Sequence, residues 1–445
     1  MTKMFSNAQL RKLIIPLLVE QLFVMLVGML DTVMVSSAGE AAVSGVSIVN
    51  ELNFLVITIL AALAAGGACI ISQYLGNNDK ENAGLAASQL MIVSFVFSVI
   101  FMTVNLVFCQ RILNFLYGGV SPDVMAACTT YFWITALSFP FLGLYNCASA
   151  IYRSINETKV TLVVSIIMNV INIIGNYIGV FILHMGVAGV AWPTLASRMT
   201  AALILCWLSF DQRNVVYVCL KKIMAWHADM IRRILRIAIP NSIENGLFQF
   251  GHVIMMIFIS SYGTSQIAAY GVADNLSALA IVAASAMTLA IVTVIGQCVG
   301  ANDYRQAEYY MKKMVKISVI GSCLNCLIVF LLLPAALKAY TLTPDTGDLV
   351  LQLMYWYCAV GAVLQPVAFV LPSGLRAAGD AKYTMIVGVA SMFGVRILLA
   401  YIFGTVLHLY VLGTFFAMFL DWVCRIILFT IRCRSGKWKN YRVIQ

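Results

Sequence analysis

Apolar residues occupy this chain in long, nearly uninterrupted stretches, with polar residues gathered into the short intervals between them. The stretches match the ~20 residues that a helix needs to cross a hydrocarbon core. None shows the strict alternation of strands, so the backbone polar groups must be satisfied within helices rather than in a closed barrel. The pattern predicts twelve spans, near 13–36, 48–74, 86–110, 125–150, 160–183, 187–210, 236–261, 272–299, 315–337, 350–373, 383–407 and 410–431. Lys3, Arg11 and Lys12 precede the first stretch without a small-residue cleavage site, which reads as helix one rather than a removed signal. The expected fold class is an all-α integral membrane protein.

Composition strengthens this picture. Of 445 residues, 62% are hydrophobic and only 10% charged, whereas soluble domains run near a quarter charged. The 28 Lys and Arg then set topology, because cytoplasmic connections retain positive charge. With the start inside, they fall on the termini and on alternate connections, the exceptions being Arg111, Lys338 and the intramembrane Arg396. Both termini are therefore expected in the cytoplasm of a multi-pass plasma-membrane protein. The net charge of +10 belongs to residues flanking spans, with no aromatic-interleaved basic module, so anionic membrane lipids rather than nucleic acid are the expected partners. The 12 cysteines are scattered through apolar runs, with no zinc or disulfide spacing, and read as small core residues.

An internal repeat organises the chain. Shifting the sequence by 224 residues aligns Pro16 with Pro240, Glu20 with Glu244 and Gly39 with Gly263. The same shift pairs Gln73, Gly76, Asn78 and Asp79 with Gln297, Gly300, Asn302 and Asp303, and Leu183-His184 with Leu407-His408. A slip of one residue places Arg153, Glu157 and Lys159 against Arg376, Asp380 and Lys382. Six helices per half give both halves the same orientation, so two six-helix lobes related by a pseudo-twofold axis along the membrane normal are expected. The expected organisation is an N-terminal lobe over 1–210, a cytoplasmic linker over 211–235 and a C-terminal lobe over 236–445. Met224, Trp226, Met230, Ile231 and Ile234 suggest an amphipathic helix on the membrane surface within that linker, although a plain tether fits equally well.

The segments IPLLVEQLFVMLVGMLDTVMV (15–35), SQYLGNNDKENA (72–83), IYRSINETK (151–159), NIIGNYIGVF (172–181), GVAGVAWPT (186–194) and GQCVGANDYRQAE (296–308) follow one another in this repeat. In content, order and spacing they resemble the multidrug and toxic compound extrusion (MATE) family. The resemblance implies an efflux antiporter that expels organic, often cationic or amphipathic, compounds using a Na⁺ or H⁺ gradient.

An ionisable group inside a span costs at least ~2.5–3.5 kcal/mol on insertion scales, so each one calls for a role or a partner. Asp31 lies well inside helix one with no Lys or Arg within a turn of it. It can bind Na⁺ with oxygen neighbours, exchange H⁺, or be a hydrogen-bonded packing residue. The resemblance carries a cation site in the N-terminal lobe onto Asp31, Asn172, Asn176 and Thr194. Asn172 and Asn176 share a helix face with Asn169 nearby, and their amide oxygens are hard ligands suited to Na⁺, although polar residues facing a neighbouring helix fit equally well; with Asp31 they are the candidate Na⁺ ligands of the site that the resemblance implies. One branch of the family carries an aspartate where this chain has Asn176, leaving Asp31 as the only acid of the set. The repeat counterparts of Asp31, Asn172 and Asn176 are Met255, Arg396 and Ala400, so a cation site is expected in the N-terminal lobe alone.

Glu20, Glu244 and Arg396 are candidate cavity or gate residues. The two glutamates occupy equivalent places one turn after a proline, and a symmetric structural pair is the alternative. Arg396 is a lone deep cation for which pairing with Asp421 competes with a substrate-facing or anion-repelling role, while Asp421 and Arg425, one turn apart, are expected to neutralise each other. Glu51 and Asp274 begin helices two and eight near the outer surface. No phosphate loop, nucleophile elbow or metal-ligand cluster is visible, which argues against an enzyme and against a cofactor other than the coupling ion. A lipid-linked precursor flippase should need several cavity basic residues, and a channel or non-transporting receptor would not explain the two-lobe repeat with an isolated Asp31. A cleft contained in one chain is consistent with a functional monomer.

Overall fold

The structure is a computed structural model that describes residues 3–36, 39–339, 342–441 and 443–444. Among these residues it is built from helices and short connections. Numbered by the predicted spans, α1 is Asn7–Ser36, α2 Glu40–Gly76 and α3 Lys80–Tyr117. The fourth, α4, is bent by 45° between Pro122–Leu137 and Phe139–Ser154. Helix α5 (Thr158–Tyr177) continues as a π-helical turn over Ile178–Ile182, and α6 is Ala188–Ser209. In the second half, α7 is Ala228–Ser260, α8 comprises Thr264–Ala280 and Val282–Gly300, and α9 is Tyr304–Ala339. Helix α10 runs from Pro344 to Ala377, α11 from Ala381 to Val406, and α12 is Tyr410–Arg434.

Ten of these helices are long and apolar enough to cross a membrane, and the bent α4 makes an eleventh. The 30-residue α1 stands at the first predicted span and brings the count to twelve. Several helices outrun the bilayer: the 37 residues of α2 span roughly 55 Å at 1.5 Å per residue, against a hydrocarbon core of ~30 Å. Large apolar side chains such as Phe115, Val107 and Trp207 are 88%, 68% and 75% exposed, as expected where lipid, not water, is the neighbour.

Three local readings change. The charge tally loses two residues: Arg198 and Arg425, counted with cytoplasmic segments, lie inside α6 and α12, as the predicted spans 187–210 and 410–431 themselves imply. The eighth span is broken at Ile281, so its apolar helix begins at Val282 and Asp274 sits on the preceding segment. The continuous amphipathic helix suggested for the linker is split. One turn, Leu220–Met224, carries exposed Leu220 and Met224, whereas Met230, Ile231 and Ile234 are buried in the first turns of α7. The split follows from Gln89, a buried amide on α3. Its Nε2 donates to the carbonyls of Lys222 and Ala225 at 2.5 and 2.7 Å, capturing backbone groups that a helix would otherwise pair internally.

The chain divides into two compact units, Asn7–Ser242 and Ile243–Gln445 with Met1–Ser6. In the first, buried Val46, Val49, Leu113, Phe132 and Val190 form one core cluster. In the second, a larger cluster joins Val350, Leu353, Met354, Phe415 and Trp422. The repeat is visible in the backbone of each unit. Asn78 and Asn302 have φ of 58° and 57°, and His184 and His408 have 49° and 54°. Asp79 and Asp303 each cap the next helix, accepting from the N–H three residues on at 3.0 Å.

Candidate functional site

Asp31 faces a cavity of about 290 Å³ within the first unit. Val24, Val27, Gly28, Asp31 and Val35 present one face of α1 to it, at helical spacing. Asn50 comes from α2, Tyr131 from α4, Asn169 and Asn172 from α5, and Thr194, Ser197 and Arg198 from α6. Helices α5 and α6 approach closely because small residues meet there: a Cβ added to Gly175 would lie 2.6 Å from Pro193 Cβ, and one added to Gly179 2.7 Å from Gly189 Cα. That approach sets Asn172 beside Thr194.

Asp31 is held by amides. Asn176 Nδ2 donates to Asp31 Oδ1 at 2.8 Å. The Asn172 oxygen cannot face two carboxylate oxygens, so its NH₂ turns to Asp31, 2.9 Å from Oδ1 and 3.3 Å from Oδ2. The Asn172 oxygen then meets Thr194 Oγ1 at 3.2 Å. Asn176 Oδ1 and Asn169 Nδ2 are buried without a hydrogen-bond partner. The four residues carried over by resemblance, Asp31, Asn172, Asn176 and Thr194, are thus brought together. One carboxylate among neutral amide and hydroxyl oxygens suits a monovalent cation. Among the described residues no group of three or more His, Cys, Asp or Glu side chains gathers as a denser site would require.

Arg198 is the residue that the sequence reading overlooked. It lines the same cavity, and its Nη1 donates to Ser138 Oγ at 2.8 Å, at the bend of α4. The criterion that singles out Asp31, an ionisable group inside an apolar run, finds Arg198 equally well.

Glu20 and Glu244 lie elsewhere. Glu20 is 4% exposed, accepts from Thr161 Oγ1 at 3.1 Å and is not among the cavity-lining residues. Glu244, in the second unit, pairs with Arg376 at 2.8 Å. Each is therefore satisfied within its own half. Arg396, 5% exposed on α11, makes no ion pair among the described residues; Asp421 is engaged by Arg425 Nε at 3.0 Å.

Comparison with known proteins follows the same two-part register. The MatE family profile matches residues 16–178 and again 240–402, copies displaced by the 224 residues of the internal repeat. The chain is 28% identical over 435 residues to the uncharacterized transporter YisQ of Bacillus subtilis, covering 95% of this chain and 93% of that one. It is 22% identical to the probable multidrug resistance protein NorM of Thermotoga maritima, over 98% and 94% of the two chains. A solved outward-facing MATE-family transporter of the MOP superfamily shares the fold, with a TM-score of 0.90 at 19% identity over 96% and 95% of the chains. With the family profile matched across both halves, this chain belongs to the MATE family of multidrug efflux transporters, which are membrane transporters rather than enzymes.

Proposed function

We propose that this chain is a secondary antiporter that exports small organic compounds, often cationic or amphipathic, by alternating access, coupled to inward movement of Na⁺ or H⁺ at Asp31. The observation that carries the reading is one acid in an open cavity, clasped by two amides and accompanied by unpartnered polar atoms. The multidrug names of relatives such as NorM and the MepA export protein of Staphylococcus aureus support the substrate class.

The chemistry follows from the amides. The ionised Asp31 accepts from the NH₂ groups of Asn172 and Asn176. A proton or Na⁺ arriving at the carboxylate asks for an oxygen in place of a donor, which Asn172 supplies by rotating its side-chain amide. Its NH₂ then faces Thr194 Oγ1 at 3.2 Å, and the threonine hydroxyl donates to the Val190 carbonyl at 2.9 Å. Both orientations are hydrogen-bonded, so the switch leaves no orphaned group on this path. The cation charge is thereby converted into a rearrangement of the α5–α6 hairpin, the kind of two-state element that alternating access requires. In this reading the chain spans the plasma membrane with both termini in the cytoplasm, and the monomer is the transporting unit.

The test is export of ethidium from proteoliposomes under Na⁺ and pH gradients imposed separately, with the intact chain and Asp31→Asn. Export driven by one gradient and lost in the variant names the ion and the coupling residue. Export that ignores both gradients, or survives the substitution, refutes the assignment.

A further inference from the structure

The second unit holds a buried cation that, among the described residues, no acid contacts directly. Arg396 is 5% exposed, its Nε is buried without a hydrogen-bond partner, and no hydrogen bond or ion pair to the guanidinium occurs among the described residues. Two carboxylates interact with it electrostatically, Asp421 and Asp274. Neither forms a salt bridge with it. Asp421 is 0% exposed and committed to Arg425, which also donates from Nη2 to the Gly388 carbonyl at 3.1 Å. Asp274, on α8, acts on it only through the longer-range field. Arg396 is thus a buried guanidinium with acids nearby but, among the described residues, none in direct contact.

Leaving such a charge unpaired is expensive, and in membrane proteins intramembrane cations recur where a ligand supplies the counter-charge. The surroundings define that ligand. Phe248 lies 5.7 Å from the Arg396 guanidinium and 5.2 Å from that of Arg425, and it packs edge-on against Phe369 at 6.0 Å. Phe369 continues to Trp422 at 6.3 Å. The guanidinium therefore sits at one end of an aromatic wall. Nε is sealed, and Nη1 and Nη2 together form a fork matched to two carboxylate oxygens.

We propose that Arg396 binds a carboxylate on the transported compound, with the aromatic wall taking the compound's apolar body, so that the C-terminal half recognises amphipathic carboxylates and zwitterions. The guanidinium carries a single charge, which one carboxylate neutralises, whereas a phosphate dianion would leave a buried negative charge over. This deepens the export reading and rests on it only for the transport arm of the test.

Proteoliposomes are loaded with rhodamine B, which bears a free carboxylate, or with its ethyl ester, which does not. The expected result is that Arg396→Gln lowers the ratio of rhodamine B to ester export by roughly tenfold, the loss anticipated when a charged hydrogen-bonding partner is removed. Arg396→Lys, which keeps the charge but not the fork, should fall between. An unchanged ratio, whether both rates fall or neither does, overturns the proposal in favour of a structural arginine. A second arm uses the intact purified chain, independent of transport and of how the variants fold. Benzoate should raise its melting temperature and benzyl alcohol should not. Absence of benzoate stabilisation overturns the site, and larger stabilisation by phenyl phosphate overturns the choice of carboxylate. If neither rhodamine is exported while benzoate still stabilises, the export reading fails and the anion site stands.

Discussion

The repeat aligns Asn172 of the first half with Arg396 of the second, and the polar surroundings of the two positions have diverged. In the first half an acid stands among amides, with Asn176 2.8 Å from Asp31. In the second, the positions of Asp31 and Asn176 are taken by Met255 and Ala400, which join Met392 and Ala417 in an apolar cluster. The charges there have moved to α11 and α12: Asp421 and Arg425 occupy the places of Ser197 and Ala201. The backbone nevertheless repeats closely, down to left-handed residues at His184 and His408. Helix packing and turns therefore constrain the two halves alike, while the polar interior is free to specialise. The first half sets an acid and Arg198 around one cavity, and the second holds a guanidinium with no ion pair among the described residues.

The largest expected effect tests the acid half. Asp31→Asn should lower gradient-driven ethidium export by at least ~10-fold, a loss of more than ~1.4 kcal/mol in coupling, measured as initial rate in proteoliposomes. If export persisted, the two halves would not differ in the way described.

The next contrasts equivalent positions. Asp421→Asn strands a second buried guanidinium and should cost about 3–5 kcal/mol, whereas Ser197→Ala, at the matching place in α6, should cost about 1 kcal/mol, the net worth of an ordinary hydrogen bond. Melting temperatures of the purified variants in detergent give the comparison, and equal shifts would break it.

A smaller effect concerns the α5–α6 hairpin. Gly179→Ala sets a methyl against the Gly189 backbone and should destabilise by about 1–3 kcal/mol. Gly28→Ala, with nothing within 4 Å of an added Cβ, should be neutral or slightly stabilising by less than ~1 kcal/mol. The same melting measurement decides, and similar losses at both glycines would remove the argument that close approach builds the site.

The smallest effect compares the loops after α4 and α10. Lys12 and Glu157 pair at 2.7 Å with both side chains nearly half exposed, so Lys12→Ala should change stability by less than ~1 kcal/mol. Asp380, buried, pairs with Arg432 at 2.7 Å, and Arg432 in turn lies 4.4 Å from the Tyr383 ring centroid. Asp380→Asn should therefore exceed Lys12→Ala severalfold in its effect on the melting temperature. Comparable shifts would place the two pairs in the same environment.

Much of this was legible in the residues. Spans follow from apolar runs because a membrane penalises every unpaired backbone group, and Asp31 stood out because an acid in such a run is rare. Arg198 was equally visible but was absorbed into a neighbouring connection by the count of charges. The break at Ile281 and the split linker were not visible. The first is a local departure within apolar sequence, and the second depends on Gln89, more than a hundred residues away from the carbonyls it captures.

By itself the sequence determined the number and order of helices, the twofold internal repeat and the short list of intramembrane polar residues, since each rests on local hydrophobicity or on direct comparison of residues. Tertiary structure decided which of those residues share a cavity. Asp31 meets Asn176 across 145 positions of chain, Asp421 prefers Arg425 to Arg396, and Glu244 is engaged by Arg376. Pairings of this kind depend on where helices cross and on a few ångströms of approach, which small residues such as Gly175 and Gly179 permit but which no periodicity along a single helix encodes.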